Sequence, residues 1–447
     1  MRFNPDKIRI EDVVTPPYDV ISDEDGAALV QKNPYNMIQL DLRSSSEKAE
    51  KSRERYTGAR DRFDSWQEEA VLIRDEKPAI YLYYIDYTHP SGQRLTRKGM
   101  VALVGLAEFS EGIVKPHEKT FAGVVSDRIE LMDECQAQFS QVFSIYPDTE
   151  QEIIRTLEQA REPEPLYRVT DSSGNTHTIW RVTDPAALAR VQQLFVDKPV
   201  YIADGHHRYT TALGVQKRAR ERNPDLPADS PYNFIMMYLC AREDEGLSVL
   251  PTHRLVHWPG RMSADELVER LRQGMHVEEV SGGIRDALIV AVLQRMDEAE
   301  MTEHLPAFGV YHPGEDRCFL LRIRQEVLEK HGSLRGKPPV LRDLDVVVLS
   351  ELLIHDYLGL SHEQCVRDNL VSYISDVDEA LDRAVKASVA DDSATPLLFL
   401  LNPTRVEQVT SVADSGEIMP HKSTYFYPKI MTGFLINKLE EDEHIQA

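Results

Sequence analysis

Residues 199–214 read PVYIADGHHRYTTALG, and the rest of the chain is organised around this stretch. The apolar residues Val200 to Ala203 predict a buried strand, and the pattern from Tyr209 to Arg222 predicts an amphipathic helix. The polar sequence DGHHR at 204–208 joins the two without a further spacer. A strand that turns directly into a helix presents unpaired backbone N–H groups and the positive end of a helix dipole at one point. The stretch therefore predicts an anion-binding site.

The side chains of this motif fit the same interpretation. Gly205 lets the backbone approach a ligand closely, and the planar guanidinium of Arg208 suits a phosphate or a carboxylate. A purely structural interpretation makes Asp204 a helix cap and leaves the histidines on the surface. The strand before the motif and the helix after it favour phosphate binding instead. Because the adjacent His206 and His207 project in different directions and HExxH spacing is absent, a zinc site is not expected.

The composition is that of a globular protein. Of 447 residues, 42% are hydrophobic and 28% are charged, which allows two or three lobes. No run approaches the roughly 18–20 apolar residues of a membrane helix. The first residues, MRFNPDKIRIEDVV, lack the apolar core of a secretory signal. We therefore expect a cytoplasmic protein without a membrane partner.

Charge and cysteine content exclude further classes of function. The net charge is −23 and no long basic run occurs, so the overall field repels nucleic acid. The four cysteines lie far apart without CxxC spacing, which predicts reduced, mostly buried thiols rather than disulfides or a zinc site. They are Cys135, Cys240, Cys318 and Cys365.

Three other polar clusters are candidates for binding or catalysis. The first, KPHEKT at 115–120, is either a solvated loop or a catalytic segment in which Glu118 is a general base, because a carboxylate near a hydroxyl can deprotonate it. The second, KSTYFYPK at 422–429, offers lysines and hydroxyls to phosphate or carboxylate groups, although a solvated strand is the simpler interpretation. The third, THR at 252–254, suits a structural or supporting role. Neither a Walker-type loop nor a Rossmann glycine fingerprint is present.

The pattern of elements predicts an α+β protein, because strands and helices do not alternate as they do in a doubly wound parallel fold. Three parts are expected. They are an N-terminal extended segment with helices at 1–74, a mixed-sheet core at 75–260 and a C-terminal α/β lobe at 261–447.

Individual elements of the core are predicted as follows. A His-Pro-Ser-Gly turn predicts a hairpin with strands at 79–87 and 94–109. Apolar spacing predicts a helix over 127–143. Two apolar runs at 234–241 and 247–255 are expected to pair with each other as strands.

Five short motifs in order carry a resemblance to a known family. The chain resembles, over nearly its whole length, the bacterial and archaeal family catalogued as domain of unknown function 1015. The name of that family states no activity. The motifs are PPYDVI at 16–21, PHEKT at 116–120, ADGHHR at 203–208, LPTHR at 250–254 and KSTYFYPK at 422–429.

The DGHHR element after a strand is also similar to the signature of free-serine kinases of the SerK type. Those enzymes have a ParB/sulfiredoxin-like fold and phosphorylate the hydroxyl of free L-serine with ADP or ATP, and a glutamate in an upstream His-Glu pair is thought to be the base. The resemblance covers about residues 100–260 and implies a ParB/sulfiredoxin-like core. This chain is much longer, and its His-Glu pair lies far before the motif. The residues carried over are Glu118, Asp204, His206, His207 and Arg208, with His117 and Lys119 beside them.

These observations predict phosphoryl transfer, with Mg²⁺, between ADP or ATP and the hydroxyl of a small amino acid, in either direction and with serine as the first candidate. Glu118 would accept the hydroxyl proton. The amides of residues 205–207, together with Arg208, would hold the nucleotide phosphates, and His206 or His207 would stabilise charge on the transferred group. Asp204 would orient a histidine or bind Mg²⁺ through water.

Other roles and functions stay open from the sequence. His117 and Lys119 are expected near the phosphates, and Lys422, Ser423 and Lys429 are expected to bind substrate. One alternative function is a nucleotide-controlled ParB-like switch or scaffold. Another is a metal-dependent hydrolase built on the histidines at 117, 206 and 207 with the aspartate at 204. A homodimer is an open expectation for the oligomeric state.

Overall fold

The computed structural model describes residues 1–41, 49–281, 285–390, 393–440 and 442–445, and only the backbone of 49–52 and 303. The chain divides into two compact units. Unit 1 contains Met1–Ser248 and Pro428–Ala447, and unit 2 contains Val249–Tyr427. The division therefore lies at 248 rather than at 260, and unit 1 includes both the N-terminal 74 residues and the last 20.

The described residues form twenty β-strands. In chain order they are β1 (Arg2–Phe3), β2 (Leu72–Ile73), β3 (Ile80–Thr88), β4 (Arg94–Gly105), β5 (Val114–Lys115), β6 (Ala137–Gln138), β7 (Val142–Tyr146), β8 (Tyr167–Thr170), β9 (Thr176–Val182), β10 (Val200–Asp204), β11 (Phe234–Ala241), β12 (Ser248–Leu250), β13 (His253–Pro259), β14 (Met275–Val280), β15 (Ala307–His312), β16 (Arg317–Ile323), β17 (Val371–Ile374), β18 (Ala394–Leu401), β19 (Tyr425–Tyr427) and β20 (Asn437–Lys438).

Fifteen α-helices occur in the same residues, together with a π-helix at Val348–Tyr357 and five short 3₁₀ turns. The helices are α1 (Asp23–Lys32), α2 (Ala49–Glu68), α3 (Ala122–Cys135), α4 (Glu152–Ala160), α5 (Pro185–Phe195), α6 (His206–Arg222), α7 (Ala264–Leu271), α8 (Arg285–Glu303), α9 (Gln325–Lys330), α10 (Gly332–Arg335), α11 (Pro339–Arg342), α12 (Asp345–Val347), α13 (His362–Arg367), α14 (Val377–Ala390) and α15 (Val406–Ser415).

Unit 1 is built on an eight-stranded mixed sheet with the strand order β5-β10-β7-β11-β4-β3-β9-β8. Two neighbouring pairs, β5 with β10 and β7 with β11, are parallel, and the other neighbours are antiparallel. Apolar side chains from the sheet form a buried core with Tyr209 and Ala212 of α6 and with residues of α4 and α5. The predicted buried strand at 200–203 and the predicted hairpin are thereby confirmed, and α6 begins at His206, three residues earlier than predicted.

The terminal segments belong to unit 1 because they pair with it. β1 pairs with β2, and β20 pairs with β6, so strand ladders hold residues 2–3 and 437–438 within this unit. α2 packs against α3. These contacts explain why the N-terminal segment, predicted as a separate part, clusters with the core.

Unit 2 contains a six-stranded sheet with the order β14-β16-β15-β18-β13-β17, in which every neighbouring pair is antiparallel. α8 and α14 cover one face, where their apolar residues pack on those of the strands. A two-stranded sheet of β12 and β19 completes the strand pairing. The combination of helices with large sheets confirms an α-and-β protein, while the ParB/sulfiredoxin-like identity of the core stays a prediction.

Two predicted elements are wrong. The helix predicted over 127–143 is α3, which ends at Cys135 because Gln136 adopts a left-handed φ of 48°. Val142 and Phe143 instead begin the buried central strand β7, whose apolar side chains gave the false helical spacing. The runs at 234–241 and 247–255 do not pair, since β11 pairs with β4 and β7 while β13 belongs to the sheet of unit 2.

Two expectations about composition can be checked directly. All four cysteines are free, three of them buried and Cys365 half-buried, as predicted. In the part of the chain that the structure describes, no helix combines the length and the apolarity needed to cross a bilayer.

Candidate active site

The candidate site lies where two neighbouring parallel strands of unit 1 end. β5 pairs with β10, and Val114 lies opposite Val200. Because parallel strands run in the same direction, the segments that follow them leave the sheet at the same edge. The segment after β5 carries Glu118, and the segment after β10 carries the motif at 204–208. Strand pairing thus brings together two polar clusters that are distant in the sequence.

Gly205 makes the turn from β10 into α6. Its φ is +95°, in the left-handed region, and it precedes the helix without a side-chain cap. A Cβ atom at this position would lie 2.8 Å from Nε of Arg208, which packs across the glycine. Only glycine suits both the backbone angle and this close approach. The first-turn amides of α6 have no acceptor within the helix, and the helix dipole adds positive potential at the same place.

The carboxylate of Asp204 binds two cations. Its Oδ2 accepts a hydrogen bond from Nη2 of Arg208 at 2.5 Å, and its Oδ1 accepts one from Nζ of Lys429 at 2.5 Å. Arg208 also donates through Nη1 to the carbonyl of Gln141. Burial acts to lower the pKa of Arg208, but Asp204 and Asp19 raise it above its ordinary value, so the guanidinium stays charged. Two cations therefore meet one carboxylate beside the start of α6.

His206 lies between the two strand ends and is buried. Its Nε2 accepts a hydrogen bond from the N–H of His117 at 3.3 Å, and its Nδ1 lies 3.7 Å from Oε2 of Glu118. The rings of His117 and His206 meet edge to face, with their centroids 4.6 Å apart. Three of the residues predicted for the site are thereby in mutual contact, although they come from two separate motifs.

His207 makes a second connection between the same two segments. Its Nε2 accepts a hydrogen bond from the N–H of Phe121 at 3.0 Å. The Phe121 ring stacks on the imidazole, with an interplanar angle of 20°. Phe121 is the residue immediately before α3. The segment from β5 to α3 is thus attached to the first turn of α6 through both histidines of the motif.

Burial keeps the inner histidines of this site neutral. It lowers the pKa of His117 to about 4. Burial also lowers the pKa of His206 well below its ordinary value, and the neighbouring His117 lowers it further. Removing an imidazole from water disfavours its charged form. At neutral pH these two rings therefore act as hydrogen-bonding groups without a net positive charge.

A small cavity of about 30 Å³ lies beside Arg208. Cζ of Arg128 lies 4.4 Å from the ring centroid of Tyr18, and burial raises the pKa of the adjacent Asp41 carboxyl. A volume of this size holds about one or two water molecules, so a nucleotide does not fit inside it. Its polar lining residues include Tyr18, Asp41, Arg128, Ser140, Arg208 and Thr211.

Three predicted binding residues lie outside this group. Lys119 is exposed. Lys422 and Ser423 belong to unit 2. There the carbonyl of Lys422 accepts a hydrogen bond from Arg254 at 2.8 Å, and the Ser423 hydroxyl donates to the carbonyl of Pro420 at 2.6 Å. A substrate-binding role for Lys422 and Ser423 stays a prediction.

The alternative of a metal-dependent hydrolase finds no geometric basis in the described residues. Within them, no group of three or more His, Cys, Asp or Glu side chains is arranged to hold a metal ion. Two of the proposed ligands, His206 and His207, direct Nε2 at backbone amides, and Asp204 holds two cations. The motif histidines are therefore used to join two chain segments.

Sequence reasoning missed residues that complete the site. Phe121 connects to His207 but follows the polar motif as an ordinary apolar residue, and Gln141 contributes only its carbonyl. Tyr18 lies in the PPYDVI motif, which could have signalled its place beside Arg208. Asp41 and Arg128 lie in no motif. Their proximity arises from tertiary packing, for which a single sequence carries no signal.

The sequence model of a family described as "Protein of unknown function (DUF1015)" matches residues 1–347. The chain belongs to this family. The matched part includes four of the five motifs named above, and the fifth, at 422–429, lies beyond it. A comparison with curated proteins finds no match.

Three solved structures are similar to this family member at low identity. A mutant free serine kinase in complex with AMP is 12% identical, with a TM-score of 0.35 over 75% of this chain and 92% of the other. A conserved hypothetical protein from Pyrococcus furiosus is 14% identical, with a TM-score of 0.34 over 76% and 95%. SbnI with C-terminal truncation, from Staphylococcus aureus, is 9% identical, with a TM-score of 0.35 over 77% and 90%. At such low TM-scores the likeness carries no argument for fold or activity.

Proposed function

We propose that this protein transfers a phosphoryl group between a nucleotide and the hydroxyl of a small amino acid, with free serine as the first candidate. The observation that carries the proposal is the position of Glu118. Its carboxylate lies 3.7 Å from His206, the first residue of the helix that begins after Gly205. A carboxylate beside an anion-binding helix start can accept the proton of a hydroxyl that attacks a bound phosphate.

The proposed reaction balances as follows. The hydroxyl oxygen of the amino acid attacks the terminal phosphorus of ADP or ATP, and the bond from that phosphorus to its bridging oxygen breaks. Glu118 takes the hydroxyl proton, and the nucleotide leaves with one phosphate fewer. Run in reverse, the same steps transfer the phosphoryl group of a phosphoamino acid to AMP or ADP and release the free amino acid. Positioning and charge stabilisation supply most of the rate enhancement in such chemistry.

Arg208 and Lys429 are the cations proposed to hold the phosphates, together with the amides that follow Gly205. Both cations are bound to Asp204 at 2.5 Å. An entering phosphate can replace Asp204 as the partner of one cation while the other keeps the carboxylate neutralised. Arg208 is suited to phosphate because its planar fork donates two parallel hydrogen bonds.

The residues of the site do not fit a resident Mg²⁺ ion. Both carboxylate oxygens of Asp204 already bind cations, and the described residues contain no group of three or more side chains arranged to hold a metal ion. Mg²⁺ usually retains several waters and binds through substrate phosphates with one or two carboxylates. We therefore derive no catalytic step through a metal.

The choice of ADP or ATP and of serine rests on the resemblance of the DGHHR and His-Glu elements to those of free-serine kinases. A cytoplasmic location and a homodimer are carried forward as predictions.

A product assay tests the proposal. The purified 447-residue chain is incubated with ADP or ATP, with and without Mg²⁺, and with a panel of free amino acids, and phosphorylated products are measured by mass spectrometry. We expect a phosphoamino acid, with serine the best acceptor. Nucleotide binding without any product would favour the ParB-like switch, and absence of both would overturn the proposal.

The Glu118→Gln variant identifies the base. We expect turnover to fall by several hundredfold, in the range of a lost general base, with nucleotide affinity retained. Glu54→Gln, at an exposed position of α2, is the matched control and should keep full activity. Unchanged turnover in Glu118→Gln would remove this residue from the mechanism.

A further inference from the structure

The segment that carries Glu118 is attached to α6 at two points, one on each side of the carboxylate. On one side the N–H of His117 donates to Nε2 of His206 at 3.3 Å, and on the other the N–H of Phe121 donates to Nε2 of His207 at 3.0 Å. Two consecutive side chains of one helix turn therefore hold a five-residue segment at both ends. This arrangement fixes the backbone on either side of the proposed base.

The hydrogen bonds also define the protonation of the two rings. An imidazole nitrogen that accepts a hydrogen bond from an amide carries no proton, so in a neutral ring the proton lies on the other nitrogen. Both His206 and His207 accept through Nε2, which places their protons on Nδ1. In His206 that nitrogen faces Glu118, at 3.7 Å from Oε2. One ring thus holds the backbone of the segment and presents an N–H group to its carboxylate.

The surroundings of His206 favour the neutral form. The ring is buried, and it is the first residue of a helix, where the positive end of the dipole disfavours a protonated imidazole. The charged and titratable groups that face it are His117, Glu118, Asp204, His207 and Arg208.

We propose that His206 and His207 are positioning residues, which hold the segment 117–121 through their Nε2 atoms so that Glu118 faces the start of α6. This role rests on the proposed function of Glu118 and replaces the expectation that the histidines bind the transferred phosphoryl group. The phosphates are then left to the helix amides, Arg208 and Lys429.

Paired substitutions separate positioning from phosphate binding. The Oε1 atom of glutamine can occupy the place of Nε2 and accept the same amide hydrogen bond, whereas leucine cannot. His207→Gln should therefore preserve the attachment of Phe121, and His207→Leu should release it. His206→Gln should keep the bond from His117 but lose the N–H that faces Glu118.

The first measurement needs no enzymatic activity. In protein labelled with ¹⁵N at histidine, long-range nitrogen–proton spectra at pH 6–8 report the tautomer of each ring, and the His→Gln variants assign the signals. We expect both rings to be neutral with the proton on Nδ1. A protonated Nε2 on either ring, or a positively charged His207 at pH 7, would overturn the proposal.

Hydrogen exchange of the segment 117–121 is the second measurement. His207→Leu should accelerate exchange of the Phe121 amide by roughly tenfold or more, since this amide loses its hydrogen-bond acceptor, and His207→Gln should change it by less than about threefold. Equal exchange in both variants would contradict the attachment. Both readouts are independent of catalysis, so they stand even if no phosphotransfer is found.

Kinetics supply the third measurement once an activity is established. His207→Leu should lower kcat by about tenfold with little change in the KM for nucleotide, and His207→Gln should restore most of the kcat. A rise in the nucleotide KM that both variants share would instead indicate direct phosphate binding by His207 and reject the positioning role.

Discussion

Two sets of motif residues, one in each unit, both contain histidine and arginine but make different contacts. In unit 1 the motif at 204–208 begins a 17-residue helix and meets the segment that carries Glu118. In unit 2 the motif at 252–254 is buried, and the side chain of Arg254 donates to the carbonyls of Thr252 and Lys422. The motif in unit 1 thus joins two chain segments beside the Glu118 carboxylate, whereas Arg254 in unit 2 forms hydrogen bonds with backbone carbonyls.

Sheet topology accounts for much of this difference. In unit 1, β5 and β10 are parallel neighbours, so two polar segments leave the sheet at one edge. Every neighbouring pair in the six-stranded sheet of unit 2 is antiparallel, so adjacent strands end at opposite edges. Polar residues that follow neighbouring strands are then separated by the length of a strand. A parallel pair is therefore the more informative place to look for a site in this chain.

Substitution of one arginine in each unit tests the comparison. These two substitutions are expected to have larger effects than the other substitutions described below. Arg208→Lys should weaken nucleotide binding by roughly tenfold or more, because lysine cannot reproduce the two-pronged contact with phosphate. Arg254→Lys should leave that affinity unchanged and lower the free energy of unfolding by about 1–3 kcal/mol, since buried carbonyls lose their donor. Calorimetric titration with ADP and denaturant unfolding measure the two effects. If Arg208→Lys and Arg254→Lys lost nucleotide affinity equally, the proposed difference between the two motifs would be wrong.

The second prediction concerns two buried histidines, one in each unit. Burial lowers the pKa of His117 and of His253 to about 4, below the ordinary value of 6.5. Between pH 6.5 and 4 the unfolded chain therefore binds more protons than the folded one, and stability is lost as the pH falls through this window. The loss should reach up to about 3 kcal/mol per histidine.

Substitution of either histidine by glutamine should remove the part of the acid-dependent loss of unfolding free energy that this histidine causes. His117→Gln and His253→Gln are compared with His276→Gln, at an exposed position, by urea unfolding at pH 4.5 and 7.5. We expect a smaller pH difference in the first two variants and the parent difference in the third. A similar reduction from His276→Gln would show that burial is not the cause.

The smallest effect is expected for Ser423→Ala. The hydroxyl of Ser423 already donates to the carbonyl of Pro420, and its carbonyl accepts from Thr404 at 2.8 Å. We expect a loss of about 1 kcal/mol of unfolding free energy and less than about twofold change in the amino-acid KM. An increase of tenfold in that KM would instead support the predicted substrate-binding role.

The local sequence pattern correctly predicted the strand that leads into the candidate site. It was wrong about a neighbouring helix and about one strand pairing. The strand β10 follows from an apolar run and the hairpin of β3 and β4 from its turn residues, and both are confirmed. The helix predicted over 127–143 was wrong because Val142 and Phe143 belong to a strand that is buried on both faces. Its mainly apolar residues do not distinguish a helix from a strand. The pairing of β11 was wrong because its partners, β4 and β7, lie elsewhere in the chain.

In the candidate site, too, some residues could be predicted from the sequence and some contacts could not. His206, His207 and Arg208 could be named from the sequence, because a strand, a glycine and a helix in succession form a local structure. The contact of His206 with Glu118 could be expected only from a family resemblance, and the attachment of His207 to Phe121 could not be expected at all.

By itself, the sequence determined a strand that turns through Gly205 into a helix, since apolar periodicity and a left-handed glycine act over a few residues. Tertiary structure alone decided that the segment after β5 lies beside this turn. β5 is only two residues long and carries no periodic signal, and its pairing with β10 joins parts of the chain that are far apart in sequence. The free energy for such a non-local pairing comes from burial across the whole sheet, which no single stretch of residues encodes.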